Sequence, residues 1–258
     1  MDEEIRLAGG NMEPVHRRGD EVLRTAGPWT PAVHRLLRHC RAKGMTEVPE
    51  PKGMTEDGRE RLSYLAGTVP LYPMPAWVWR DETMVAAARL LRRLHEATVD
   101  ADRTGPWRGP IFDEDDFDTT AFTLCHNDFS PHNLVFDATG TSIGIIDFDY
   151  AAPGPRAREL AYFAQRMVPL TTDRSDGHGD AERLRRLDAL LAAYLDDPRP
   201  CAPITADEVL GWAVERLVDL ATFSRRRAVE LGKPALATDA ELYDRDAVYV
   251  TALRSSGQ

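Results

Sequence analysis

What the chain lacks narrows it first. No apolar run in its 258 residues approaches the roughly 20 needed to cross a bilayer, so no membrane-spanning helix is expected. The three cysteines, Cys40, Cys125 and Cys201, are odd in number, far apart and without metal-ligand spacing. They predict reduced thiols in a cytoplasmic protein and no zinc site. The first residues, MDEEIRLAGG, are acidic and have no basic-then-apolar layout of a secretory leader. Basic excess is missing too: a net charge of −10 argues against nucleic acid, which demands a basic face. That charge is compatible with a cationic substrate, although solubility alone explains it. No internal repeat or low-complexity tract breaks the chain. What remains is an ordinary globular composition, 43% hydrophobic and 29% charged, with enough length for one large domain or two lobes.

The most informative stretch is 122–152, FTLCHNDFSPHNLVFDATGTSIGIIDFDYAA. An apolar run, 122–125, feeds a polar loop holding His126, Asp128, His132 and Asn133. A second run, 134–136, turns through Asp137-Ala-Thr-Gly140 into a third, 143–148, which delivers Asp147 beside Asp149. The pattern predicts strand, loop and hairpin, with carboxylate and amide groups presented at strand ends. Phosphoryl transfer needs one carboxylate to orient the attacking hydroxyl and accept its proton, and oxygen ligands to hold Mg²⁺ against a triphosphate. Mg²⁺ keeps several waters, so one carboxylate and one amide oxygen suffice. Asp128 can be the base, Asn133 one metal ligand and Asp147 the other. Singly, each also reads as a loop cap, a turn residue or a solvated hairpin-end charge. Their combination carries the prediction.

The segment H-N-D-F-S-P-H-N (126–133) followed by I-D-F-D (146–149) resembles the catalytic loop and metal-binding segment of eukaryotic-like kinases. It is more similar to the aminoglycoside phosphotransferase and choline-kinase-like family, whose loop runs His-x-Asp-x-x-x-x-Asn and whose following segment resembles 146–161 over its whole length. The resemblance implies an α+β, two-lobed protein-kinase-like fold. Its antiparallel-sheet N-lobe, 1–66, would bind nucleotide and end in the hinge; its mostly helical C-lobe, 67–258, would carry the catalytic loop, the metal site and the acceptor-binding helices. The resemblance also implies ATP or GTP as donor, Mg²⁺ as cofactor and a small-molecule hydroxyl as acceptor. It makes Asp128 the base, gives Mg²⁺ to Asn133 and Asp147, and gives His126 a loop-shaping part. Glu159 stands where the family usually has an aspartate that braces the catalytic loop.

Along the chain, 5–24 reads as a small antiparallel sheet with turns at Gly9-Gly10-Asn11 and Gly19-Asp20. The first turn can lay backbone N–H groups over phosphates, since no Cβ blocks the approach. Arg24 occupies the strand-three place where the family normally has a lysine, and a guanidinium can bind phosphate oxygens bidentately. The next helix, 30–43, is expected to start with Thr30 as N-cap and Pro31 in the first turn. It holds no glutamate to pair with the strand-three cation. A hairpin over 48–65 leads into Ser63, Tyr64 and Leu65, the interlobe linker that the family uses to meet the nucleotide base, and Pro70, Pro73 and Pro75 suit an exposed crossover. Met84, Ala87, Leu91 and Leu94 mark a helix over 81–97, with His95 as a packing or dipole partner. Residues 100–121 read as an irregular acidic loop. A helix over 157–168, a polar loop over 171–180 and helices over 181–195, 205–231 and 238–253 complete the chain. The middle one should bury Val209, Trp212, Ala213, Leu217, Leu220 and Phe223. The missing lysine and glutamate also admit another reading, a nucleotide-binding pseudokinase or regulatory module with little transfer activity.

Overall fold

The structure is a computed structural model that describes residues 3–7, 14–110 and 122–256. Gly9, Gly10 and Asn11 lie outside the described residues, as does 111–121 of the acidic stretch. The chain forms two compact units, Met1–Arg156 and Ala157–Gln258. The fold is α+β: an antiparallel sheet comes first and the later part is helical.

In the first unit, β1 (Glu4–Arg6), β2 (His16–Arg18), β3 (Glu21–Thr25), β4 (Pro51–Met54) and β5 (Arg59–Ser63) form one sheet in the order β1-β2-β3-β5-β4. Alternation decides which side chains face inward. On β5, Glu60 and Leu62 are buried while Arg59, Arg61 and Ser63 are half-buried. The antiparallel register sets Arg24 opposite Glu60 and Val22 opposite Leu62. Helix α1 (Thr30–Ala42) follows β3 and buries Val33, Leu36, Leu37 and Cys40, as its spacing predicts, together with His34. Its start differs from expectation: Trp29 is the N-cap and Thr30 the first helical residue. The Thr30 hydroxyl accepts from the Gly27 N–H at 2.9 Å, so it ties down the incoming turn instead of the helix's own amides.

After β5 the chain is stitched to the catalytic region. Thr68 exchanges two backbone hydrogen bonds with Phe136, at 2.8 and 2.9 Å. Gly67, at φ +156°, passes so close that a Cβ there would sit 2.5 Å from Val135 Cγ1 and 2.7 Å from the Phe136 carbonyl. Helix α2 (Asp81–Ala97) buries Met84, Ala87, Leu91 and Leu94, with His95 fully enclosed at its end. Then β6 (Thr123–Cys125) pairs with β9 (Ala152–Gly154), while β7 (Leu134–Phe136) and β8 (Ser142–Ile145) form the expected hairpin. The polar loop over 126–133 is therefore strung between two separate ribbons.

The second unit is helical. Here α3 (Arg156–Met167) runs in from the first unit, and α4 (Asp180–Leu195), α5 (Ala206–Leu231) and α6 (Ala235–Ser256) follow. Thr205 caps α5 by accepting from the Glu208 N–H, and Gly232 ends it at φ +61°, a left-handed stop that glycine takes without steric cost. The buried stripe of α5 is Val209, Leu210, Ala213, Leu217, Ala221 and Ser224; of the expected stripe, Trp212 and Leu220 are half-buried and Phe223 is exposed. The polar stretch over 171–180 is pinned: buried Asp246 accepts from the Thr172 N–H and from both the Thr171 and Thr172 hydroxyls, and buried Arg183 pairs with Asp176 at 2.9 Å. No helix among the described residues is long and apolar enough to cross a membrane.

Candidate active site

Short strands lead into the two segments that carry three of the predicted residues. The loop after β6 carries Asp128, and Asn133 ends the 3-10 turn Pro131–Asn133 that leads into β7. The Asn133 amide donates to Asp128 twice, to its carboxylate Oδ2 at 2.8 Å and to its carbonyl at 2.9 Å. With Nδ2 committed to Asp128, the amide oxygen is directed away from it. Two bonds then join this loop to the segment after β8. The Ile146 N–H donates to the Asn133 carbonyl at 2.9 Å, and His126 Nε2–H donates to the Ile146 carbonyl at 2.9 Å. His126 Nδ1 accepts from the Asp128 N–H at 3.2 Å, which places the ring proton on Nε2. The His126 ring is buried edge-on against Phe148, 4.6 Å between centroids.

Asp147 follows at once, and its backbone is left-handed, φ 62° and ψ 64°. Aspartate tolerates that region better than most residues, and a non-glycine outlier of this kind is characteristic of working sites. It turns the carboxylate out of the hairpin, where its side chain is 48% exposed. An exposed carboxylate and an amide oxygen are hard donors, and they fit a hydrated divalent cation such as Mg²⁺.

Arg24 reaches the same spot from β3. Its guanidinium donates through Nε to Glu60, through one terminal nitrogen to Asp147 at 3.0 Å, and through the other to Asp149. Burial works against the charge on Arg24, but the pull of Glu60, Asp149 and Asp147 outweighs it and drives the guanidinium further from deprotonation. Burial likewise works to raise the Glu60 carboxyl, yet the hydrogen bond from His34 and the charge of Arg24 hold it below its ordinary value. Asp149 goes the other way: burial raises it, with Arg24 opposing and Asp147 adding to the rise.

Glu60, His34 and Asp149 are thus members of the site that the motif reading did not include. The strand-three cation does have a glutamate partner, but from β5 and not from the helix. His34 Nε2 on α1 meets Glu60 Oε1 at 2.8 Å, so the helix supplies the residue behind the glutamate. One sequence signal was available: Glu60 and Leu62 share a strand parity, which marks position 60 as inward-facing. The chain's three lysines stand at 43, 52 and 233, none of them on β3. A further cation, Arg108, lies between the rings of Trp29 and Tyr150, 4.4 and 4.6 Å from their centroids, and 3.5 Å from Asp149.

The remaining predicted residues are placed as follows. The Ser63 N–H donates to the Glu50 carbonyl and the Tyr64 N–H to the Asp20 carbonyl, so both amides are taken up by the sheet. Leu65 lies over β8, where Gly144 leaves room for it; a Cβ at 144 would meet Leu65 Cδ1 at 2.9 Å. Glu159 is buried in the first turn of α3, in the second unit.

Comparison with known proteins bears on the whole arrangement. The sequence profile described as the phosphotransferase enzyme family matches residues 106–204. That span holds the catalytic loop and the Asp147 segment. The trifolitoxin immunity protein of Rhizobium leguminosarum bv. trifolii is 36% identical over 168 residues, which cover 62% of this chain and 60% of that protein. Among solved structures, a choline/ethanolamine kinase family protein from Mesorhizobium loti has a TM-score of 0.63 at 15% identity, over 98% of this chain and 92% of its own. An amicoumacin kinase, solved in complex with AMP-PNP, Ca²⁺ and Ami, has a TM-score of 0.66 at 11% identity, over 98% of this chain and 88% of its own. The resemblance to the aminoglycoside phosphotransferases and choline kinases read from the loop motif is borne out, and so is the kinase-like fold.

Proposed function

We propose that this protein transfers the γ-phosphate of ATP or GTP to a hydroxyl of a small molecule. The single observation that carries this reading is the tie between two segments: Asn133 holds Asp128, and bonds through His126 and Ile146 fasten that loop to the segment that presents Asp147. Asp128 accepts the proton of the attacking hydroxyl and orients its oxygen. Asn133 holds Asp128 through its amide nitrogen and leaves its amide oxygen for the metal. Asp147 presents the second metal oxygen from a backbone turn that keeps it clear of the hairpin. Mg²⁺, when bound, offsets the charge of the triphosphate and aligns it for in-line transfer. Arg24 donates to the phosphate oxygens from strand three, while His126 fixes the loop's shape. Ser63, Tyr64 and Leu65 border the nucleotide base. The small-molecule kinase fold and the family match support the reaction class.

The direct test screens ATP and GTP consumption against small hydroxylated metabolites and antibiotics, then repeats the assay on Asp128→Ala. Turnover should fall by about 10²–10⁴-fold with nucleotide binding largely kept, as for loss of a positioned base. Equal turnover in both proteins would end this assignment.

One observation favours a second reading. Arg24 is bound directly to Asp147 and Asp149, so the proposed metal ligand already has a cationic partner. A nucleotide-binding module with little transfer activity would suit that pairing, and nucleotide binding without consumption across the screen would select it.

A further inference from the structure

We propose that Arg24 is an internal counter-cation that makes metal binding at Asp147 conditional on nucleotide phosphates, with Glu60 as its positioning residue. The inference rests on the reading of Asp147 as a metal ligand. Arg24 is largely enclosed, its side chain 12% exposed, and its donors are split by direction. Nε is spent on Glu60, whose side chain is 1% exposed and whose other oxygen is held by His34 at 2.8 Å. The cross-strand register of β3 and β5 fixes that bond, because position 60 lies directly opposite position 24. The two terminal nitrogens face the other way, toward Asp147 and Asp149.

A divalent ion arriving alone at Asp147 would have to share one carboxylate with this guanidinium. Like charges a few ångströms apart at a part-buried site repel strongly. A triphosphate reverses the balance, since its oxygens can take the terminal N–H groups of Arg24 and ligate the metal at once. Arg24 can exchange its carboxylate partners for phosphate without leaving Glu60, because the two sets of bonds use different nitrogens. Metal and nucleotide therefore enter as one complex, and the empty site does not collect divalent ions.

The test titrates Mn²⁺ into wild type, Arg24→Met and the double variant Arg24→Met/Glu60→Gln, with and without a non-hydrolysable ATP analogue, and follows the free-ion resonance signal. The double variant guards against misfolding, since it removes the Glu60 charge together with its partner while Asp149 keeps Arg108 at 3.5 Å. Without nucleotide, both variants should bind Mn²⁺ at least about tenfold more tightly than wild type. Adding Asp147→Asn to either should cancel the gain. The analogue should raise metal affinity far more in wild type than in the variants. Equal Mn²⁺ affinity in all three proteins without nucleotide, with Asp147→Asn still abolishing the nucleotide-dependent site, would overturn the counter-cation and leave the proposed function standing. Nucleotide-dependent metal binding of unchanged affinity in Asp147→Asn would overturn both.

Discussion

At the scale of residues, one guanidinium serves three carboxylates, and the one that anchors it, Glu60, is fully buried. Breaking such a pair from one side leaves a charge without its partner. Glu60→Ala should therefore cost about 3–5 kcal/mol in chemical denaturation at neutral pH. The sign of the pH dependence follows from the carboxyl being held below its ordinary value of 4.5 by His34 and Arg24 against the opposing effect of burial. A depressed carboxyl contributes stability above its unfolded value and loses it as pH falls through the folded one. The stability gap between wild type and Glu60→Gln should thus be widest near neutrality and narrow below about pH 4.5; a gap independent of pH would contradict the ion pair. Arg24 was legible in the sequence as the strand-three cation. Its partner was not, because a motif taken from a helix cannot point to a neighbouring strand.

At the scale of elements, the loop over 126–133, proposed as catalytic, draws its position from contacts distant in sequence. The β7–β8 turn could be read directly: Asp137 Oδ1 accepts from the Thr139 and Thr141 N–H groups, and Gly140 takes φ +87°. The pairing of β6 with β9 could not, since Thr123 meets Gly154 across the whole hairpin and three-residue strands carry little periodicity. The crossing at Gly67 was equally hidden, because only the folded path shows how close Val135 and Phe136 come. Gly67→Ala should force β7 and the linker apart, lowering stability by about 1–3 kcal/mol in thermal or denaturant melts. The same substitution at Gly177, φ +76° with nothing within 4 Å of the added carbon, measures the cost of a left-handed backbone without a clash. The misjudged stripe on α5 has a simpler cause. Phe223 was counted inward for its hydrophobicity, whereas helical spacing from Ala213 and Leu217 leads to Ala221 and Ser224.

At the scale of the molecule, the two units are held by different means. The first is organised by sheet register and backbone stitching. The second relies on long helices and on buried polar knots. Asp246, 2% exposed, satisfies Thr171 and Thr172, and Arg183, fully buried, takes Asp176 and the carbonyls of Thr171 and Asp173. A segment that reads as a polar loop is in this way locked to α4 and α6. Asp246→Ala should speed amide hydrogen exchange over 171–180 by at least about tenfold, as loss of a buried hydrogen-bond acceptor implies. Unchanged exchange there would show that the knot does not hold the segment.

The left-handed turn at Asp147 governs how that position can be interrogated. Alanine would alter two things together, removing the carboxylate and penalising the local chain geometry. Asparagine keeps the side chain's outline and shares aspartate's tolerance of that conformation. A deficit seen with alanine but not with asparagine would speak of main-chain shape, and one common to both would speak of charge.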